Sequence, residues 1–447
     1  MKYVTAAPHS ILEQAALASG LLTQEQIDRA WDEVVSTTAS GDLSLGDVTD
    51  RLLADHLVEL GFLNRWQAEQ LLQGRTKFTL GPYRILDAIG RGGMGYVFKG
   101  EHQLLGRIEA IKVLPRTQMT PASIASFCRE IRAQAQLDHP NLIRLSFADR
   151  DGDTYFLVSE FVPGSDLRRL VRRYGPLSDC QAAWVVSQAA EALAYVHERG
   201  LVHRDVKPGN LMITPAGQTK LADLGLAAFA DESLQPEFHG QKKHIVGTPD
   251  FLAPETVINP GAVRPISDIY SLGCTLYYAL TGKVPFPGGR TSDKIRRHVE
   301  RQPLPIRRFN TEAAEGLLEL VADMTRKLPD ERVKCAAAVV ERLRPWAERL
   351  TESELDQLGQ RAEEANDGSP PGGGLADTLP ADEGDIDTAR DSQSASGAVA
   401  ASQASSIEES TVEPAPHHLR PPSRAMWWLV VVLAAAAGAA LAMLWRK

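Results

Sequence analysis

The run His203-Arg-Asp205-Val-Lys207-Pro-Gly-Asn210 constrains this chain more than any other stretch. It sets a carboxylate, an amine and an amide close together, and Asp223-Leu-Gly225 adds a second carboxylate a little further on. Phosphoryl transfer asks for little covalent help. It needs a positioned hydroxyl, neutralised charge and a metal ion. In this pattern Asp205 can orient a hydroxyl and accept its proton, and Lys207 can steady the transferred phosphate. Asn210 and Asp223 offer oxygen ligands to Mg²⁺.

A glycine-rich run comes earlier, Gly90-Arg-Gly92-Gly-Met-Gly95-Tyr-Val97, after the strand-like Tyr83–Ile89. Glycines let a turn backbone approach phosphate oxygens with no side chain in the way. Alone, this spacing also fits a flexible turn or a dinucleotide fingerprint. The dinucleotide reading needs a helix to follow at once and an acid about 20 residues on. Here Tyr96–Gly100 continues as a strand, and Glu109-Ala-Ile-Lys112 forms a third. That order resembles the arrangement in which protein kinases cover ATP, which would set Lys112 on the α- and β-phosphates. A helix beginning at Thr120-Pro121 carries an apolar stripe of Ile124, Phe127, Cys128, Ile131 and Ala135. Glu130 lies at its edge, where its spacing from Lys112 favours an ion pair holding the lysine on the phosphates.

These runs, together with FCREIRAQAQLDHPNLIRL, GTPDFLAPE and SDIYSLG, make residues 83–346 resemble the catalytic domain of the bacterial, eukaryotic-like Ser/Thr protein kinases. The resemblance implies an α+β fold of two lobes, with ATP and Mg²⁺ between them. It implies Asp205, Lys207, Lys112 and Glu130 as catalytic residues, with Asn210 and Asp223 on the metal. It also implies a nucleotide site of Ile89, Gly90, Gly92, Gly95, Val97, Ala110, Lys112 and Met212, with backbone contacts from Glu160 and Val162. Lys207 and Gly247-Thr248-Pro249 point to Ser or Thr acceptors. Glu255 is expected to pair with Arg332 as a brace, and Asp268 to tie the catalytic loop.

Three positions depart from the family pattern. Leu224 replaces the usual Phe and keeps an apolar plug. Ser159 precedes the Glu160 hinge where relatives carry a bulkier residue, which implies a roomier pocket behind adenine. Between Leu226 and Gly247 only Ser233 can take a phosphate, and Lys242 and Lys243 stand where relatives carry threonines. Activity is therefore expected not to depend on a phosphate in that loop, with Glu237 or membrane crowding ordering it instead.

The remaining chain sets the architecture. Residues 1–78 read as a small helical module with two similar helix starts, Thr23-Gln-Glu-Gln26 and Asn64-Arg-Trp-Gln67, each a capping-box arrangement. Either a docking surface or a brace under the next domain fits this segment. The catalytic domain is expected over 79–348, with lobes meeting near 160. An acidic Ser/Gly/Pro-rich stretch, 349–425, has too little apolar surface to offset ordering entropy and reads as a disordered linker. Met426–Trp445 has no charge and carries Trp427, Trp428 and Trp445 at its ends, so it reads as a single transmembrane helix. Ala434, Gly438 and Ala442 form a small-residue stripe along which such helices can pair.

A net charge of −9 argues against nucleic acid as a partner. Four scattered cysteines with no close pair indicate a reducing compartment. The expectation is a membrane-held kinase whose catalytic domain is cytoplasmic and acts on protein Ser/Thr residues. The alternatives are an ATP-binding pseudokinase or scaffold and a small-molecule phosphotransferase. Every catalytic position is filled, which argues against the first. The GTPDFLAPE segment, suited to docking a peptide, argues against the second.

Overall fold

The computed structural model describes residues 10–38, 50–92, 95–114, 131–224, 237–238, 241–242, 249–259 and 263–365. Four helices come first, α1 (Ile11–Ser19), α2 (Gln24–Thr38), α3 (Asp50–Glu59) and α4 (Arg65–Leu72). Both expected capping boxes form. The Thr23 amide donates to Gln26 Oε1 at 2.9 Å, and Asn64 and Gln67 exchange bonds of 2.8 and 3.1 Å. Ser10 and Glu13 make a third box at α1, which sequence reading passed over.

A six-stranded antiparallel sheet follows, in the order β1-β2-β3-β4-β6-β5. Its strands are β1 (Thr79–Leu80), β2 (Tyr83–Gly92), β3 (Gly95–His102), β4 (Ile108–Val113), β5 (Leu145–Asp151) and β6 (Thr154–Glu160). Burial alternates along β4 because successive side chains leave opposite faces of a strand. Ile111 and Val113 are fully buried, whereas Ala110 and Lys112 on the other face are half-buried. The Ile111 face, with Phe98, Phe156 and Val158, shares one continuous core with Leu12, Leu53, Leu57, Trp66 and Leu71 of the helices. The first helices therefore roof the sheet, and Asn64 Nδ2 donates to Leu86 O at 2.8 Å across the seam. Behind the other face, Leu157 packs with Leu114 and Ile131.

The larger, helical half is built on α6 (Asp179–Glu198), whose Ala182, Val185, Val186, Ala189 and Leu193 are all fully buried. Around it stand α5 (Leu167–Tyr174), α7 (Pro254–Ile258), α8 (Pro265–Thr281), α9 (Thr291–Glu300), α10 (Glu315–Met324) and α11 (Ala336–Ala347). A small sheet of β7 (Ser165–Asp166), β8 (Leu211–Ile213) and β9 (Thr219–Leu221) lies at its upper edge. Further on, β10 (Glu237–Phe238) pairs with β11 (Gln241–Lys242).

Where sequence reading starts the linker, at 349, the structure has one more helix, α12 (Glu352–Glu364). Thr351 and Glu354 cap it reciprocally, and Leu358 and Ala362 are buried in the core of the helical half. The acidic composition of this stretch belongs to its outer face, which hid the few apolar positions that dock it. The rest of the linker and the expected span at 426–445 lie outside the described residues. Among the described residues, no helix is long and apolar enough to cross a membrane. Cys180, Cys274 and Cys335 are free thiols.

Candidate active site

The loop between α6 and β8 carries Asp205, and α8 holds that loop from beneath. Asp268, 1% exposed, accepts the backbone amides of His203 at 2.8 Å and Arg204 at 2.9 Å. His197 Nε2 donates to the same carboxylate at 2.8 Å. These bonds hold Arg204 at φ 70°, a left-handed conformation that non-glycine residues adopt only under constraint. His203 is fully buried. Its Nε2–H donates to Ala222 O at 2.9 Å, and its Nδ1 accepts the Asp205 amide at 3.3 Å, which fixes one neutral tautomer. Burial lowers its pKa below the ordinary imidazole value, against the pull of Asp268 and Asp205.

The Asp205 carboxylate is 5% exposed and closely gripped. Its Oδ2 accepts from Lys207 Nζ at 2.5 Å and from Asn210 Nδ2 at 3.1 Å. Asn210 Nδ2 also donates to Asp205 O at 2.8 Å. With its amide hydrogens directed at Asp205, the side-chain oxygen of Asn210 is the atom that could hold a cation. Ala222 N donates to Asn210 O at 2.8 Å, so Asn210 and Asp223 emerge side by side from β8 and β9. Asp223 also stands at positive φ, 62°. Lys112 Nζ meets Asp223 Oδ1 at 2.7 Å and so bridges the large sheet to the end of β9. Burial alone would raise the Asp223 pKa, but Lys112 and Lys207 outweigh it and hold the carboxyl below the usual carboxylate range.

Asn210 and Asp223 are both oxygen donors, the type a hard divalent cation selects. Among the described residues no group of three or more His, Cys, Asp or Glu could hold a metal ion. Two such oxygen donors fit Mg²⁺, which is commonly bound by one or two protein ligands with phosphate oxygens and water filling the rest. Glu130 lies outside the described residues.

Several of the expected nucleotide-binding residues lie on neighbouring strands. Gly90 pairs with Val97, Val97 with Lys112, and Ala110 with Ser159, across four neighbouring strands. Gly92 pairs with Gly95, closing the glycine-rich hairpin. Ile89, Val97, Ala110 and Met212 are all half-buried, as residues lining an open cleft would be, and Val162 is 8% exposed. Sequence reading missed the role of the Glu160 side chain. Its Oε1 accepts from Arg144 N at 2.9 Å and Lys220 Nζ at 3.0 Å, tying the hinge to β9. Gln134 Nε2 donates to Leu224 O at 2.5 Å, and the Leu224 side chain joins the main core as the expected apolar plug.

The expected brace forms as a fork. Arg332 Nη1 and Nη2 reach Glu255 Oε1 and Oε2 at 2.8 and 2.7 Å, and Ser267 Oγ adds a bond of 2.7 Å. Burial would raise the Glu255 pKa, but Arg332 and Ser267 hold it below the ordinary value. Gly247, Thr248 and Ser233 lie outside the described residues.

Residues 83–343 match the family described as the protein kinase domain. Over 348 residues the chain is 33% identical to the serine/threonine-protein kinase PknA of Mycobacterium tuberculosis, covering 76% of this chain and 74% of that one. It is 34% identical over 269 residues to the serine/threonine-protein kinase pkn2 of Myxococcus xanthus, covering 59% and 32%. It is 32% identical over 260 residues to the serine/threonine-protein kinase PrkC of Bacillus subtilis, covering 57% and 39%.

Proposed function

The chain belongs to the protein kinase family as a serine/threonine kinase, and from that premise we propose that it works while tethered to a membrane, with Asp205 as its base. The observation that carries the role of Asp205 is its setting, a carboxylate gripped by Lys207 and Asn210 on a loop that Asp268 locks from below. A group held this firmly has little freedom to lose when the acceptor arrives.

Bound Mg²⁺–ATP supplies an activated γ-phosphoryl group whose charge the metal spreads. Asp205 orients the Ser or Thr hydroxyl and takes its proton as the oxygen–phosphorus bond forms and the bond to ADP breaks. Lys207 lies within 2.5 Å of that carboxylate and balances negative charge on the transferred group. Lys112 holds the α- and β-phosphates, and Asn210 and Asp223 hold the metal. Ile89, Val97, Ala110 and Met212 flank adenine. Lys207, which accompanies serine and threonine acceptors in the family, supports protein Ser/Thr residues as substrates.

The test uses radiolabelled ATP and a generic basic protein. Wild type should label serine and threonine, and Asp205→Asn should fall by at least about a hundredfold. Equal labelling by both would remove Asp205 from its role. No labelling by wild type that still binds nucleotide would favour a scaffold.

The membrane reading rests on the uncharged Met426–Trp445 segment with tryptophans at its ends. Because ATP is cytosolic, the kinase domain then faces the cytoplasm, and the Ala434–Gly438–Ala442 stripe is where two spans would meet. The activation segment works without a loop phosphate in this reading, so Ser233→Ala should keep most of its activity.

A further inference from the structure

Helix α12 lies beyond the residues that match the family, 83–343, yet its backbone touches the turn from which both metal-binding residues hang. The turn, Thr214–Gln218, joins β8 to β9. It is closed by Gly217 N on Thr214 O at 2.8 Å and Thr214 N on Gln218 O at 2.9 Å. Two glycines make the approach feasible, one from each side. A Cβ on Gly359 of the helix would sit 1.9 Å from Pro215 O. A Cβ on Gly217, at φ +70° in a left-handed turn, would sit 2.3 Å from Leu355 Cδ1. Trp184 Nε1 holds Gly217 O from another side at 2.9 Å.

The helix is itself anchored away from this turn. Gln181 Nε2 donates to Glu354 O at 3.1 Å, and Tyr174 OH donates to Glu364 Oε2 at 2.7 Å. From the turn, β8 and β9 run back as three residue pairs, Ile213–Thr219, Met212–Lys220 and Leu211–Leu221. At about 3.3 Å per residue this is a lever of roughly 10 Å. One arm begins at Asn210 and the other delivers Asp223.

We propose that α12 is a positioning element for the metal site, with Gly359 and Leu355 setting through the Thr214–Gln218 turn where Asn210 and Asp223 stand. The inference rests on the kinase reading, since it takes those two residues as the metal ligands. It gives the segment leading to the linker a direct mechanical route to the catalytic centre. A pull or a partner on that segment acts on the hairpin through backbone contact.

The test uses full-length protein and four forms: wild type, Gly359→Leu, Leu355→Ala, and Val339→Ala as a control buried in α11, outside both α12 and the hairpin. Calorimetry reads the Mg²⁺ dependence of ATP binding, and hydrogen exchange reads the amides of β8 and β9. Gly359→Leu should weaken the apparent Mg²⁺ affinity about tenfold or more, the loss typical when a group supporting metal ligands is disturbed. Exchange in β8 and β9 should quicken in parallel, and excess Mg²⁺ should restore phosphate transfer. Leu355→Ala should shift the same way by less, and it carries the test if Gly359→Leu does not fold. Val339→Ala should melt earlier with its Mg²⁺ affinity within about twofold of wild type.

If the α12 variants melt earlier but bind Mg²⁺ as wild type does, the helix only adds stability and the proposal fails. It fails equally if Val339→Ala shifts Mg²⁺ affinity as far as they do. A wild type that binds Mg²⁺–ATP but transfers nothing would strike the kinase reading instead.

Discussion

At the scale of single residues, burial decides more than identity does. His298 is fully buried against Tyr270, whose hydroxyl meets Nδ1 at 2.9 Å. Burial, with Lys327 nearby, pushes its pKa down to about 3. The unfolded chain binds a proton at this histidine below about 6.5 and the folded one does not. Stability should therefore fall as pH drops from about 6.5 towards 3, by up to about 1.4 kcal/mol per pH unit from this group. Urea unfolding of His298→Leu at several pH values should show a flatter slope over that range. Glu255 works in the same direction at lower pH. Its depressed pKa gives stability that is present above the ordinary carboxylate value and lost as pH falls through the folded one. Its partner Arg332 has no exposed side chain, so Arg332→Met leaves a buried carboxylate uncompensated. The expected cost is about 3–5 kcal/mol, read from the urea midpoint. At the hinge, Ser159→Met should reduce sensitivity to bulky inhibitors of the ATP site, measured as a rise in their inhibition constants. Arg332 and Asp268 were legible in the sequence because they sit inside recognisable runs. His298, His197 and the Glu160–Lys220 pair were not, because their roles come from neighbours distant in the chain.

Elements repeat the lesson with packing in place of protons. The capping boxes at Thr23 and Asn64 were readable because a helix start is local chemistry. The destination of those helices was not, since an apolar stripe does not name the surface it will cover. Trp66 makes the point. Its ring lies 5.9 Å from Phe78, edge-on, and 5.9 Å from Phe98 of β3, and its indole Nε1 is buried without a partner among the described residues. Trp66→Ala should cost about 3–5 kcal/mol in thermal or urea unfolding, the usual penalty for emptying so large a core site. α12 was missed for the opposite reason. Leu355, Leu358 and Ala362 are few among Glu, Asp and Gln, and composition averaged over the stretch outweighed a capping box at Thr351. The strands at Tyr83–Ile89, Tyr96–Gly100 and Glu109–Lys112 and the glycine-rich turn between the first two, by contrast, were legible in the sequence, while the order of strands in the sheet was not.

For the whole molecule, the resemblance of the catalytic runs to the kinase family implied the two-lobed architecture, and length and hydropathy carried the membrane proposal. Removing 426–447 should move the protein from the membrane pellet to the supernatant with phosphate transfer retained, which fractionation and the labelling assay can follow together. The roof of helices over the sheet has a practical corollary for anyone excising the enzyme. A fragment cut to the family borders, 83–343, would bare the Ile111, Phe98 and Phe156 face to water and discard α12 as well. The smallest piece able to stand alone should therefore be longer than the family match, 83–343, and in a calorimeter the leading helices and the sheet should melt in a single transition.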